Sequence, residues 1–412
     1  MNLAITSTND SEGGAARCAY RLHRGLLDLG VESNMFVRNK STDDPTVFGT
    51  QSMFQKLVSM VTPKLDALPL AFYPEHEKFV FTPGNFGSFN PAAYSDKFDV
   101  FNVHWVAGGY QSISSITRIN KPVVLTLHDS WAFTGGCHIP FECTRFMGNC
   151  GICPQLKSSK EKDLSYKVWL KKREEWKRKN IVLVGGSKWI VENARRSSIF
   201  ADHRAEIVHP GMDLNIFKPL DKNFCRNILG LKETDKLLLF GAVSAVSDQN
   251  KGFQFLEPAL KQLSEKYSGT DLKIIIFGAS SANSPVDFGI NVQYMGKMHD
   301  DISLAVLYSA ADVMIVPSIQ ESFGQTASES FACGTPVAAF ETSGLIDIVD
   351  HKINGFLARP YDPVDLSEGI LWLLSDPDRL KILGIAARKK AVEKFGIKDF
   401  AGSYRNIYES LL

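Results

Sequence analysis

VMIVPSIQESFGQTASESFACGTPVAAF, residues 313–340, is the stretch from which the fold class can be read. Val313–Val316 is a short apolar run of the kind that forms a strand buried on both faces. Pro317 and Ser318 stop it, and a loop from Ile319 to Gly324 follows. The spacing predicts a helix from about Gln325 to Cys333. Gly334, Thr335 and Pro336 end that helix, with glycine just past the last turn and proline beyond it. Val337–Phe340 is the next strand. A strand–loop–helix–strand unit belongs to an open parallel α/β sheet, where ligands sit beyond the carboxyl ends of the strands. Glu321 and the backbone of Phe323, Gly324 and Gln325 therefore fall where a ligand would lie, with Glu329 near the front of the helix. A plainer reading stands beside this one. Ser322 with Gln325, and Thr326 with Glu329, both fit a capping box, so Glu329 could serve only to close a helix start.

Working outward, the same pattern recurs in both directions. Lys236–Phe240, Ile274–Phe277 and Val292–Met295 read as further strands, the last ending at Gly296. In the other half, strands are expected at Leu3–Thr6, Val31–Val37, Val100–His104, Pro122–Leu127, Ile181–Val184 and Ala205–Val208. Ala15–Leu29 reads as the first helix, with Ala19, Leu22, Leu26 and Leu29 on one stripe and Gly30 closing it. Gly13 and Gly14 open that helix, which suits a phosphate approaching backbone N–H groups, although a tight turn would use the same residues. His104 with Trp105, and His128 with Asp129, each follow a strand end. The His209–Asp213 run breaks the regular pattern. The expected division is 1–215 for one Rossmann-like domain, 216–394 for a second, and 395–412 for a final helix.

A chain of 412 residues suits two cores better than one. Its 46 Lys and Arg against 45 Asp and Glu give a net charge of +1, which argues against a general nucleic-acid binder. No basic segment followed by a long apolar core opens the chain, so no signal peptide is expected and the expected location is cytoplasmic. In that reducing setting the seven cysteines are expected to be free or metal-bound.

Taken whole, the 313–340 stretch is similar to the donor-site signature of retaining glycosyltransferases of family 4. Its Pro-Ser, Glu-Ser-Phe-Gly, second glutamate eight positions after the first, and Gly-Thr-Pro-Val carry the resemblance. It runs on through Ile346–Val349 and Asn354–Leu357. The resemblance implies the GT-B fold: α/β, two Rossmann-like domains facing across a cleft, with the last helix crossing back to the first domain. It implies metal-independent transfer of a sugar from a UDP- or GDP-sugar to a glycan or lipid-linked acceptor, of the kind that builds surface polysaccharide. By the same resemblance Glu329 holds the ribose, Glu321 and the Phe323, Gly324 and Gln325 amides lie against sugar or phosphate, and Met295 and Gly296 flank the base. Lys251 and the Gly13–Gly14 amides face the diphosphate. His128 lies beside the transferred sugar, and His104, Trp105 and Asp129 are acceptor-side candidates. The chain departs from the pattern at Ala242, where the family has an arginine on the diphosphate. Another GT-B activity, a sugar phosphorylase or sugar-nucleotide epimerase, is the alternative enzyme, and a non-catalytic subunit of this fold is the alternative outside enzymes.

Three stretches lie outside that signature. Cys137, Cys143, Cys150 and Cys153 fall in one loop, 137–153, with Cys-x-x-Cys at its end. Four thiolates suit a structural zinc, while free thiols or two disulfides are the other readings. Lys157–Asn180 is basic and helical in pattern. Its ordinary reading is a solvated face, and its sharper one a contact with a membrane surface, at the inner side of the cytoplasmic membrane, or with an anionic acceptor. In Gln51–Tyr73, Phe54, Leu57, Val58, Val61 and Leu65 share one helical stripe, interrupted by Pro63. Core packing is expected of them, with a lid or an acceptor-lipid contact as the alternative.

Overall fold

The structure is a computed structural model of all 412 residues. It describes the chain apart from residues 51, 78–79, 178–179, 242–247, 279–287 and 299.

The chain forms two compact units. Met1–Gly211 and Lys398–Leu412 make the first, and Met212–Ile397 the second. The first unit holds strands β1 (Asn2–Asn9), β2 (Glu32–Asn39), β3 (Val47–Phe48), β4 (Val100–Val103), β5 (Val123–Leu127), β6 (Ile181–Gly185) and β7 (Ala205–Ile207). They are ordered β3-β2-β1-β4-β5-β6-β7, and every pairing is parallel. The second unit holds β8 (Lys236–Gly241), β9 (Leu272–Phe277), β10 (Asn291–Gly296), β11 (Val313–Val316), β12 (Val337–Phe340) and β13 (Gly355–Ala358). Their order is β10-β9-β8-β11-β12-β13, again all parallel.

Strand alternation explains why the central strands of the second sheet are apolar. Leu237, Leu239, Met314, Val316, Val337 and Ala339 point into one cluster. Leu238, Phe240, Val313, Ile315, Ala338 and Phe340 point into another on the opposite face. Both faces are covered, so these strands have no side on which a polar residue would meet water.

The boundary falls at Gly211 because Met212 belongs to the second core. Its side chain is buried there, its amide donates to Phe395 O, and its carbonyl accepts from Ile397 N. The last helix, Ile397–Glu409, returns to the first unit. Tyr408 OH accepts from Asn102 Nδ2 on β4 at 2.6 Å, and Tyr404 OH pairs with Thr126 Oγ1 on β5 at 3.0 Å.

Two expectations need correction. The Gln51–Tyr73 stretch forms a continuous helix, Met53–Ala67, that Pro63 does not interrupt. Its stripe is not core: Phe54 and Leu57 are exposed, as are Met53 and Met60. The basic stretch forms a shorter helix, Leu164–Trp176, and Val168, Trp169 and Trp176 on it are buried in the first core.

Candidate active site

In an open parallel sheet the strand order reverses at one place, and the loops there splay apart to leave a crevice. In the second unit that place lies between β8 and β11. The loop after β11 carries Glu321. Its Oε1 accepts from Lys251 Nζ at 2.8 Å and from Ser318 Oγ at 2.9 Å, and its amide donates to Ser343 Oγ. Burial works against the charge of Lys251, and the Glu321 carboxylate outweighs it, so the lysine pKa is raised. The lysine therefore carries its charge at neutral pH.

Backbone geometry holds this arrangement. Lys251 ends a 3-10 turn, Gln249–Lys251, and Gly252 follows with φ 73°. A Cβ at Gly252 would lie 1.8 Å from Pro317 O, so only glycine lets this turn approach the end of β11. Asn250 ties the two loops together: its amide side chain donates to Gln320 O and accepts from Gln320 N, and its carbonyl accepts from Ile319 N. Sequence reasoning reached Ser318 only as the strand stop and as part of the Pro-Ser motif, and did not reach Asn250 or Ser343. The role of Asn250 depends on loops 70 residues apart meeting, which no local pattern reports.

Glu329 lies on the helix Gln325–Ala332, which the sequence places correctly to within one residue. The N-cap is Gly324 and makes no side-chain cap bond, so the capping-box reading does not hold. Glu329 is buried and accepts from Tyr308 OH at 2.9 Å. Phe323 is also buried, edge-on to Phe395 at 5.4 Å. Met295 and Gly296 end the edge strand β10. Ala242, where the resemblance lacks the family's diphosphate arginine, lies outside the described residues.

In the first unit the order reverses between β1 and β4. Gly13, N-cap of the helix Gly14–Asp28 with φ 89°, follows β1, and His104 follows β4. His104 Nδ1 and His128 Nε2 are 2.8 Å apart. Burial lowers the pKa of both, that of His128 to about 4. Both rings are therefore neutral at pH 7, and His104 Nε2 has no partner among the described residues. A buried histidine with a depressed pKa costs stability once the unfolded chain protonates. Stability is expected to fall as pH drops from about 6.5 towards about 4, by on the order of 3 kcal/mol for His128. Urea unfolding of wild type and His128→Asn across this range checks it; parallel curves would refute it.

Asp129 is a structural hub. It accepts from Trp105 Nε1 at 2.8 Å, His138 Nδ1 at 2.7 Å and Trp131 N at 2.8 Å. Burial raises its pKa, and His138 with these donors brings it below the usual value. With its carboxylate so occupied, Asp129 and Trp105 brace the loop that follows β5. His138 completes this brace through Thr82 Oγ1 and was missed in the sequence.

The four loop cysteines form no disulfide. Burial pushes the Cys150 thiol up to about 12 and Cys153 up to about 11. Among the described residues no three or more His, Cys, Asp or Glu side chains are grouped to hold a metal ion. Beside them Lys172 is fully buried, donating to Trp131 O and to Thr134 O and lying 3.9 Å over the Trp131 ring. Burial lowers its pKa to about 7.

Comparison with known proteins agrees with this layout. The family model of glycosyl transferases group 1 matches residues 221–390, and that of glycosyltransferase family 4 matches residues 12–216. A D-inositol 3-phosphate glycosyltransferase of Thermobispora bispora is 34% identical over 221 residues, covering 51% of this chain and 51% of that protein. The chain thus spans about half the length of this curated relative. Among solved structures, a sucrose-phosphate synthase from Thermosynechococcus elongatus aligns with TM-score 0.69 at 19% identity, over 100% of this chain and 98% of that one. Anabaena Alr3699/HepE, in complex with UDP-glucose, aligns with TM-score 0.64 at 16% identity over 100% of both chains.

Proposed function

The chain belongs to the group 1 glycosyltransferases, with the GT-B fold, and we propose that it transfers a sugar from a UDP- or GDP-sugar to a glycan or lipid-linked acceptor with retention at the anomeric carbon. The observation that carries this reading is the convergence of Lys251, Ser318 and Glu321 at the switch point of the second unit. HepE was crystallised in complex with UDP-glucose, which supports a nucleotide-sugar donor here.

In this reading the bond between the anomeric carbon and the diphosphate oxygen breaks, and a new one forms to the acceptor oxygen. The acceptor proton goes to the departing diphosphate, so no side chain need be a strong base. Negative charge develops on the diphosphate as it leaves. The Lys251 ammonium and the amides at the start of the helix Gln325–Ala332 stabilise that charge where it appears. Glu321, oriented by Ser318 and the Ser343 bond to its amide, meets the donor sugar. Glu329, held by Tyr308, accepts from the ribose hydroxyls. His128 enters as a neutral imidazole able to donate or accept a single hydrogen bond to a sugar hydroxyl. A role in surface-polysaccharide assembly fits the acceptor class proposed.

Nucleotide release from a panel of UDP- and GDP-sugars, with candidate acceptors, tests the reaction. Because Lys251 and the helix amides supply positive charge to the diphosphate, release is expected to survive excess EDTA. An absolute need for added Mg²⁺ or Mn²⁺ would overturn that part. Glu329→Ala is expected to weaken nucleotide binding by about ten- to hundred-fold, the loss of a contact of about 1.5–3 kcal/mol. Calorimetric titration reads it, and unchanged affinity would leave Glu329 only as the anchor of Tyr308.

A further inference from the structure

The helix Met53–Ala67 is built inside out. Its buried residues are Thr62 and Asp66, and the Asp66 carboxylate accepts from the amides of Gly84, Asn85 and Phe86 at 2.7–3.2 Å. The opposite face is apolar. Met53, Phe54, Leu57 and Met60 on the helix, with Leu68 and Phe72 on the 3-10 turn that continues it, are 59–84% exposed. At 100° per residue the four helical positions, together with Val61 and Leu65, fall within one stripe. A stripe of this size facing water is a liability unless something covers it.

Charge says what covers it. Between Ser52 and Tyr73 the charged residues are Lys56, Lys64 and Asp66, and Asp66 is buried. The exposed face therefore carries two lysines and no carboxylate. A second copy of the same face would set lysine against lysine. An anionic lipid surface complements both properties at once: the apolar stripe enters the acyl boundary, and the lysines reach back to the headgroups. No helix of the described residues is long and apolar enough to cross a membrane, so the contact is one of lying on the surface.

We propose that the Met53–Phe72 segment lies in the plane of an anionic membrane interface and docks the protein there. The proposal does not depend on the reaction assigned above. Because Asp66 holds the helix to the first unit from behind, the stripe is displayed before any lipid is met. No folding step is needed on contact.

Co-sedimentation with vesicles tests it. The full chain is expected to pellet with phosphatidylcholine vesicles containing about 30 mol% phosphatidylglycerol and to bind pure phosphatidylcholine more weakly. Phe54→Ser, Leu57→Ser and Met60→Ser combined should weaken binding about ten-fold or more, with an unchanged thermal midpoint, since all three side chains are already in water. Lys56→Glu with Lys64→Glu should remove the preference for anionic vesicles. The proposal fails if the native chain stays in the supernatant, or if the triple-serine variant pellets as well as wild type. It also fails if light scattering shows a lipid-free dimer that the triple-serine variant abolishes, which would give the face to a second copy.

Discussion

Lys251→Met is expected to lower the rate of sugar transfer by about 10²–10³-fold, the usual effect of removing a group aimed at charge that develops in the transition state. The ammonium is held by Glu321 at 2.8 Å and by a turn that Gly252 and Asn250 fix in place. Methionine keeps the length of the side chain and removes the charge. The side chain is 29% exposed, so the fold should tolerate the change. The cost should fall on the chemical step more than on nucleotide affinity, because a departing diphosphate carries more charge than a bound one. Glu321→Ala should also slow transfer and leave nucleotide affinity nearly intact. Single-turnover rates with saturating donor, set beside calorimetric affinities, separate the two effects. A Lys251→Met enzyme within a few-fold of wild type in rate would remove Lys251 from the site.

The second large effect concerns stability. Asp312 precedes β11 and is buried. It accepts from Lys222 Nζ at 2.9 Å, from the buried Arg226 at 2.8 Å and from Leu237 N at 2.7 Å. Asp312→Ala leaves a buried guanidinium without its counter-charge and should cost about 3–5 kcal/mol. Burial pushes the Asp312 pKa up, and Lys222, the Leu237 amide and Arg226 together bring it below the ordinary carboxylate value. A depressed carboxylate contributes stability above its unfolded pKa and loses it as pH falls through the folded one. The acid limb of wild-type unfolding below about pH 4 should therefore contain an Asp312 contribution that Asp312→Ala lacks. Denaturant unfolding monitored from pH 7 to pH 3 reads both. A loss under about 1 kcal/mol at pH 7 would mean that Arg226 finds other partners.

Asp312 also illustrates what can be read without coordinates. The apolar runs around it announce strands, since a sheet covered on both faces needs unbroken apolar residues. Val313–Val316 and Val337–Phe340 match the observed strands residue for residue. The strand Gly355–Ala358 was legible only as a motif, being four residues long and opened by glycine. At the candidate site Glu321, Glu329, Lys251 and His128 come from a local signature. Tyr308, Asn250 and His138 do not, because each acts through a partner distant in sequence. The helix Met53–Ala67 shows a different limit. Periodicity reveals that a stripe exists and is silent about which side of the helix meets the protein. Here three backbone amides binding Asp66 decide the matter, and they turn the apolar side outward. The start of the 137–153 loop is tied to Asp129 through His138, and the residues just before it to the buried Lys172, neither of which the cysteine spacing could indicate.

The return of the last helix to the first unit bears on how the protein matures. Asn102 and Thr126 sit inside the first sheet, and Tyr408 and Tyr404 complete their hydrogen bonding. Those tyrosines leave the ribosome after every residue of the second unit. Everything the second unit needs, from Met212 to Ile397, emerges before them. The unit whose strands are synthesised first is thus the unit that finishes last, its hydrogen bonding incomplete until residue 408 has emerged. A nascent chain stalled between residues 397 and 404 carries a second unit able to close and a first unit still lacking the partners of Asn102 and Thr126.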